Sequence, residues 1–191
     1  MRIAVIDGHP DPEPERLCHA LADAYADGAQ AGGHNIRRLG VAGMNLPLLR
    51  SEAEFRSDAV PEFAQQAQEL VGWAEHLVLV YPLWLGTMPA AVKALLEQTL
   101  RPAFAIDYSG KWPIGRLKGR SARVVVTMGM PVLAYRWYYG AHSLKSLERN
   151  VLKFCGIKPV RESLYGMVAH AGQAKREGWL AEMRKLGERG R

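Results

Sequence analysis

Three short segments of this 191-residue sequence carry residue types able to grip a flat, phosphorylated molecule. Gly8-His9-Pro10-Asp11-Pro12-Glu13-Pro14-Glu15-Arg16 offers His9 and Arg16 as anion donors just ahead of a helical stretch. A helix start there adds unpaired backbone N–H groups and a positive dipole end, a natural seat for phosphate. Asp11, Glu13 and Glu15 pull the other way. They repel phosphate unless they point outward, and taken alone the segment also reads as a Pro-stiffened turn whose acids match the helix dipole. Tyr81-Pro82-Leu83-Trp84-Leu85-Gly86-Thr87-Met88-Pro89 crowds proline, an aromatic and a glycine together. Backbone N–H groups of such a loop can face the edge of a planar heterocycle while its side chains pack the flank, although Trp84 reads equally well as core. Thr127-Met128-Gly129-Met130-Pro131 is a third loop of this kind.

The elements that must position these loops alternate from strand to helix along the chain. Arg2 to Asp7 reads as a buried strand and Glu15 to Ala31 as a helix ended by Gly32-Gly33; Asn35 to Leu39 is a short second strand. Gly40 to Val60 is a long connection, and Pro61 opens a helix to about Glu75. His76 to Tyr81 is apolar almost throughout, as a strand covered on both faces must be. A helix over Pro89 to Leu100 leads to an irregular, aromatic stretch from Arg101 to Arg120. Then come a strand at Ala122 to Thr127, a helix at His142 to Phe154, a strand at Lys158 to Gly166 and a helix at Gly172 to Leu186.

Five such repeats predict an α/β fold, a doubly wound five-stranded parallel sheet in the order 2-1-3-4-5 with helices on both faces. The ligand crevice then falls where the order reverses, at the carboxyl ends of the first and third strands. All three loops lie along that edge, and a pocket suited to phosphate at one end and a flat ring at the other fits FMN.

Composition narrows the setting. The length fits one domain over residues 1–191, 48% of residues are hydrophobic and 23% charged, as in a globular protein. No apolar run approaches the roughly 20 residues of a spanning helix, and the first residues lack a signal peptide's apolar core, so the cytoplasm is expected. Cys18 and Cys155 are far apart, with no CxxC and no histidine at ligand spacing. Reduced buried thiols are therefore expected, and neither a disulfide nor a metal. The net charge of +6 can draw phosphorylated cofactors, or simply mark a solvated face. No basic, aromatic-studded motif points to nucleic acid.

The sequence resembles the flavodoxin-like NAD(P)H:quinone oxidoreductases, which include mammalian quinone reductases, bacterial drug-activity modulators and ancillary subunits of potassium-efflux systems. The likeness runs from residue 1 to about 186. Its most specific part is the segment from Tyr81 to Lys93, similar to the family's Pro-aromatic-Pro-Lys segment under the isoalloxazine. Phe154-Cys155-Gly156-Ile157 resembles the Phe-Cys-Gly signature before the last strand, and Gly8-His9-Pro10 the phosphate-binding start. The resemblance implies bound FMN or FAD, NAD(P)H as hydride donor, and ping-pong transfer to a quinone using one flavin face. It also implies a homodimer with sites at the subunit boundary, with which Tyr108 and Trp112 in the aromatic stretch are compatible.

By the same resemblance His9 meets the flavin phosphate, Pro82, Leu83, Trp84 and Leu85 lie along the ring, and Thr127 and Gly129 meet its polar edge. Tyr135 falls where the family has a tyrosine that meets substrate and reduced flavin, and His142 lies within one residue of its active-site histidine. Read without the family, Tyr135 belongs to an aromatic patch with Trp137, Tyr138 and Tyr139, and His142 caps the next helix. A different role within the family is a flavin-binding regulatory subunit on a membrane transporter, which the basic surface suits. A one-electron carrier fits less well, because such carriers are typically acidic.

Two departures stand out. Pro14 and Arg16 occupy the places of a Ser/Thr and an Asn, so Arg16 is expected to supply the missing phosphate donor. Met128 and Met130 interrupt the family's Thr-Thr-Gly-Gly and are expected to add bulk beside the ring.

Overall fold

The structure, a computed structural model, describes residues 1–191. In chain order the first half comprises β1 (Arg2–Asp7), α1 (Leu17–Ala31), β2 (Asn35–Gly40), α2 (Glu52–Arg56), α3 (Glu62–Trp73) and β3 (His76–Pro82). The second half comprises α4 (Ala90–Thr99), β4 (Ile106–Asp107), β5 (Ile114–Gly115), β6 (Ser121–Thr127), α5 (His142–Ser146), β7 (Val160–Tyr165) and α6 (Gln173–Glu188).

Alternate side chains of a strand face opposite ways, and β1 shows what that does here. Ile3 and Val5 pack with Leu21 and Tyr25 of α1 and Met183 of α6, whereas Ala4 and Ile6 pack with Leu70 of α3 and Val92 and Leu95 of α4. Two apolar layers thus sandwich one sheet. Every residue of β3 is buried because it lies at the centre with helices on both faces. The five long strands pair in parallel in the order β2-β1-β3-β6-β7, which is the predicted 2-1-3-4-5. Asp7 lies beside Val80, Pro82 beside Thr127 and Thr127 beside Tyr165, so these strands finish at one edge. No helix is long and apolar enough to cross a membrane.

Four stretches differ from the sequence reading. The Gly40–Val60 connection contains α2, whose first amides are served by the Ser51 hydroxyl accepting from Glu54 N–H. Buried Arg101 holds this connection down by donating to the carbonyls of Glu54, Ser57 and Ala59 at 3.0, 3.4 and 3.1 Å. The irregular Arg101–Arg120 stretch includes the short antiparallel pair β4–β5. The helix expected over His142–Phe154 is α-helical only to Ser146 and then widens to π-type winding over Leu147–Leu152. A second π-type turn, Ala134–Tyr138, falls where no helix was predicted. Wide turns of this kind are frequent at functional sites.

Helices α1 and α6 approach so closely that their backbones touch. A Cβ on Gly28 would lie 2.0 Å from the Arg184 carbonyl oxygen, and one on Gly187 would lie 2.1 Å from that of Tyr25. Gly28→Ala should therefore push α6 outward and destabilise the fold by about 1–3 kcal/mol, the usual cost of overpacking. A urea midpoint unchanged from the parent would show that α6 moves away freely.

Candidate functional site

The loop between β1 and α1 is wound around the Asp7 carboxylate. Its Oδ1 accepts the His9 backbone N–H at 3.1 Å and its Oδ2 meets His19 Nδ1 at 2.5 Å. His19 Nε2 lies 2.9 Å from the Asp11 carbonyl oxygen. The Asp11 N–H points at His9 Nδ1, 3.2 Å away. Burial lowers the His9 pKa, with the neighbouring His19 acting in the same direction. The lowered pKa favours the neutral ring; Nδ1 stands near both the Asp11 N–H and, at 3.3 Å, the Asp11 carbonyl oxygen, and in the tautomer whose Nδ1 accepts the amide proton Nε2–H is left as a donor. The amides of Leu17 and Cys18, at the start of α1, have no partner within the chain. A helix start with free amides beside a neutral histidine N–H is an anion seat.

Of the three acids that oppose this, Asp11 is engaged elsewhere, whereas Glu13 and Glu15 are exposed and Glu15 borders the cleft. Asp11 accepts from the Glu13 N–H at 3.0 Å and from Arg16, whose Nε lies at 2.8 Å. The Glu13 amide and the Arg16 guanidinium hold the Asp11 carboxyl below its usual range. Arg16 lines the rim of the cleft and there forms a half-exposed ion pair with Asp11.

His9, Arg16, Cys18, Pro82, Leu83, Trp84, Thr127 and Gly129 line one cleft of about 440 Å³. Trp84 stands edge-on to His9, with ring centres 5.8 Å apart. Thr127 Oγ1 lies 3.3 Å from Cys18 Sγ. Burial pushes the Cys18 thiol up to about 12, so it packs the cleft rather than acting as a nucleophile. Met128 lines the cleft from the core, only 2% exposed, while Met130 stays outside the lining. The bulk expected from the pair is thus mostly turned away from the opening.

A fourth loop, following β7, was not anticipated. Its Val168 and Ala169 complete the cleft wall together with Arg176 from the first turn of α6. Arg176 donates to the carbonyls of Ala171 and Val168 at 3.0 and 3.1 Å, which fixes the loop. The signal was available, since the fifth strand must end on the same sheet edge as the others.

Leu85, Tyr135 and His142 lie outside the cleft. Leu85 is fully exposed and borders a neighbouring groove of about 600 Å³, mainly apolar, that runs from Trp84 past Met88 to Ser143, Leu147 and Val151. Trp84 is common to groove and cleft. Tyr135 is only 2% exposed, and its hydroxyl lies 2.9 Å from that of Ser143. It therefore reaches the groove only through Ser143. His142 is exposed and is the first residue of α5 rather than its cap, the position before it being Ala141.

A five-stranded parallel sheet in this order, with a cleft at the ends of β1 and β3, defines the doubly wound class that holds nucleotide cofactors at a switch point. The family described by a flavodoxin-like fold matches residues 1–186, and the chain belongs to it. An uncharacterized NAD(P)H oxidoreductase of Haemophilus influenzae is 28% identical over 87% of this chain and 84% of its own length. FMN-dependent NADH:quinone oxidoreductase 1 of Hahella chejuensis is 36% identical over 48% of this chain and 43% of its own, so here the match spans less than half of the relative. Among solved structures, NAD(P)H:quinone oxidoreductase from Methanothermobacter marburgensis superposes with a TM-score of 0.82 at 21% identity, covering 98% of both chains. An FMN-dependent NADH-azoreductase from Bacillus anthracis, in complex with FMN, gives 0.76 at 16% identity over 99% of both. These two share the fold.

The rim of the cleft carries backbone strain. Trp84 and Thr87 exchange N–H···O bonds at 2.8 and 3.0 Å around Leu85 and Gly86, whose φ values are 47° and 78°. Such a turn favours Asn-Gly, and a leucine at positive φ costs about 1–2 kcal/mol. Leu85→Asn should raise stability by about 1 kcal/mol. A lowered thermal midpoint would mean that Leu85 contributes more by contact than it loses by strain.

Proposed function

We propose that this chain is a flavin-dependent NAD(P)H:quinone oxidoreductase, a cytoplasmic enzyme in which residues 1–191 act as one flavin-binding domain. One observation carries the reading: a single cleft joins an anion seat at the start of α1 to a wall of ring-flanking residues, and it opens beside an apolar groove. The names of the relatives, NAD(P)H oxidoreductase and FMN-dependent NADH:quinone oxidoreductase, support the same chemistry and favour FMN over FAD.

The residues present fit that cofactor. His9 Nε2–H and the amides of Leu17 and Cys18 hold the phosphate, with Arg16 adding charge at the rim. Pro82, Leu83 and Trp84 would cover the ring flank and shield it from water, and Thr127 and Gly129 would meet its polar edge. A bound flavin would supply two-electron hydride exchange between NAD(P)H and a quinone. The apolar groove beside Trp84 receives the acceptor. A quinone that takes a hydride also needs a proton, and His142, one residue before Ser143 of the groove wall, is the proposed source. Tyr135 acts through Ser143, whose hydroxyl it holds toward the groove. The chain works as a homodimer, supported by exposed apolar residues Leu85, Tyr108, Trp112 and Ile114.

A second reading, docking on an acidic partner at a membrane, is favoured by one feature. Lys145, Arg149 and Arg161 converge on a separate cleft of about 500 Å³ beside β7, and none of them forms an ion pair. Replacing Lys145 and Arg149 by glutamate should abolish co-purification with such a partner while NADH–quinone turnover stays intact.

The purified protein should show flavin absorbance, or quench the fluorescence of added FMN, and should oxidise NADH in the presence of a quinone. Absence of all three would overturn the main reading. Tyr135→Phe and Ser143→Ala should each lower quinone-dependent turnover by roughly tenfold, the worth of one hydrogen bond, with flavin content unchanged. The double variant should lose no more than either single one. Parental rates in all three would reduce the pair to packing.

A further inference from the structure

His19 faces acceptors on both sides of its ring. Nδ1 lies 2.5 Å from Asp7 Oδ2 and Nε2 lies 2.9 Å from the Asp11 carbonyl oxygen. A carboxylate and a carbonyl can only accept, so a neutral imidazole, with its single N–H, would leave one nitrogen lone pair pointed at an oxygen lone pair. Only the imidazolium satisfies both contacts. We propose that His19 is a positioning residue, a doubly donating imidazolium that ties the end of β1 to the Asp11 carbonyl and holds the phosphate-binding loop in its binding shape. The inference deepens the flavin reading and rests on it.

The surroundings agree with a cation at this place. His19 is mostly shielded from water, with its side chain 16% exposed and that of Asp7 15%. Burial pulls its pKa down, but the Asp7 carboxylate and the Asp11 carbonyl outweigh burial and leave it raised. Asp23, one turn further along α1, acts in the same direction and is itself paired with Arg38 of β2. Of the other basic groups nearby, His9, with its ring centre 5.4 Å away, has a lowered pKa, and Arg16 and Arg38 are paired with Asp11 and Asp23. Asp11 faces the site with its carbonyl, because its carboxylate is engaged by Arg16.

The consequence for binding follows from connectivity. Asp7 holds the His9 amide with one oxygen and His19 with the other, while Asp11 meets His9 Nδ1 through its amide at 3.2 Å and its carbonyl at 3.3 Å, and meets His19 Nε2 through the same carbonyl at 2.9 Å. His19 therefore closes a ring of contacts that aims His9 Nε2–H and sets the entry of the chain into α1. Loss of the His19 proton removes one of the two bonds and one positive charge beside the phosphate seat. Because the folded-state pKa is raised, this contribution is complete below the ordinary histidine value and is lost as pH rises through the His19 titration.

Nitrogen NMR of the imidazoles in the full chain tests the protonation state without flavin. Both His19 nitrogens should show protonated shifts at pH 7, and one should lose its proton at higher pH. Added FMN should move that midpoint upward, since coupling between proton and ligand is reciprocal. FMN affinity should fall with the same midpoint, above the range in which a phosphate with its second pKa near 6 titrates. His19→Gln should weaken FMN binding at pH 7 by roughly tenfold to a hundredfold, the range for hydrogen bonds to charged groups. It should also flatten the pH profile. Asp7→Asn should lower the His19 midpoint and provides a second variant if His19→Gln fails to fold. A neutral His19 at pH 7, or a pH profile unchanged by His19→Gln, overturns the proposal. FMN binding by neither parent nor variant, with His19 still doubly protonated, overturns the flavin reading instead.

Discussion

Parallel pairing leaves little freedom at the end of a strand. Each backbone amide must meet a carbonyl on the neighbouring strand, so the register that pairs Pro82 with Thr127 and Thr127 with Tyr165 also brings the loops after β3, β6 and β7 to a common edge. The β1 loop joins them through the bond from the Gly8 N–H to the Val80 carbonyl, at 2.7 Å. A Cβ at Gly8 would lie 2.7 Å from Val92 Cγ2 and 2.8 Å from that carbonyl oxygen, so the turn can pass there only as glycine. The position of the cleft follows from these bonds before any functional side chain is considered.

Both faces of the sheet must then be covered, and the two layers serve the cleft differently. On one face α1 carries the anion seat at its first turn and is held from behind by α6 through the Gly28 and Gly187 contacts. On the other face α4 and α5 flank the apolar groove that meets the cleft at Trp84. The phosphate end is thus built on a backbone contact that admits no side chain. The groove is built on side chains and on a strained turn at Leu85, which leaves it freer to vary.

Strand order, helix placement and the switch-point cleft were legible in the sequence because apolar runs such as His76–Tyr81 and breaks such as Gly32-Gly33 follow from burial and backbone geometry alone. Pro82, Trp84, Thr127 and Gly129 could be placed because their loops directly follow strands. Contacts made by side chains across the fold were not legible. Nothing in the local pattern announces that Arg101 binds three carbonyls of a segment more than forty residues earlier, or that Arg16 turns to Asp11. Tyr135 illustrates the limit well. Its spacing from Thr127 points to the site, but the π-type turn over Ala134–Tyr138 rotates it into the core, where only Ser143 connects it with the groove.

The acidic character of the β1–α1 loop argues against phosphate when read as composition, but its two aspartates, Asp7 and Asp11, are both traced to internal partners, while Glu13 and Glu15 stay exposed to solvent. Asp7 is spent on the His9 amide and His19, and Asp11 on the Glu13 amide and Arg16. A buried or half-buried carboxylate with internal donors contributes little field toward the cleft, because the paired charges cancel over a few ångströms. Donors left without internal partners are the amides of Leu17 and Cys18, joined by His9 Nε2 in the tautomer whose Nδ1 accepts from Asp11, while the Glu15 carboxylate borders the same cleft. An acid-rich loop can therefore present donors, provided that its aspartates are used as struts. The arrangement also explains why the loop tolerates Pro14 where a hydroxyl donor was expected. The donors that matter come from the helix start and from a histidine whose other nitrogen is already occupied.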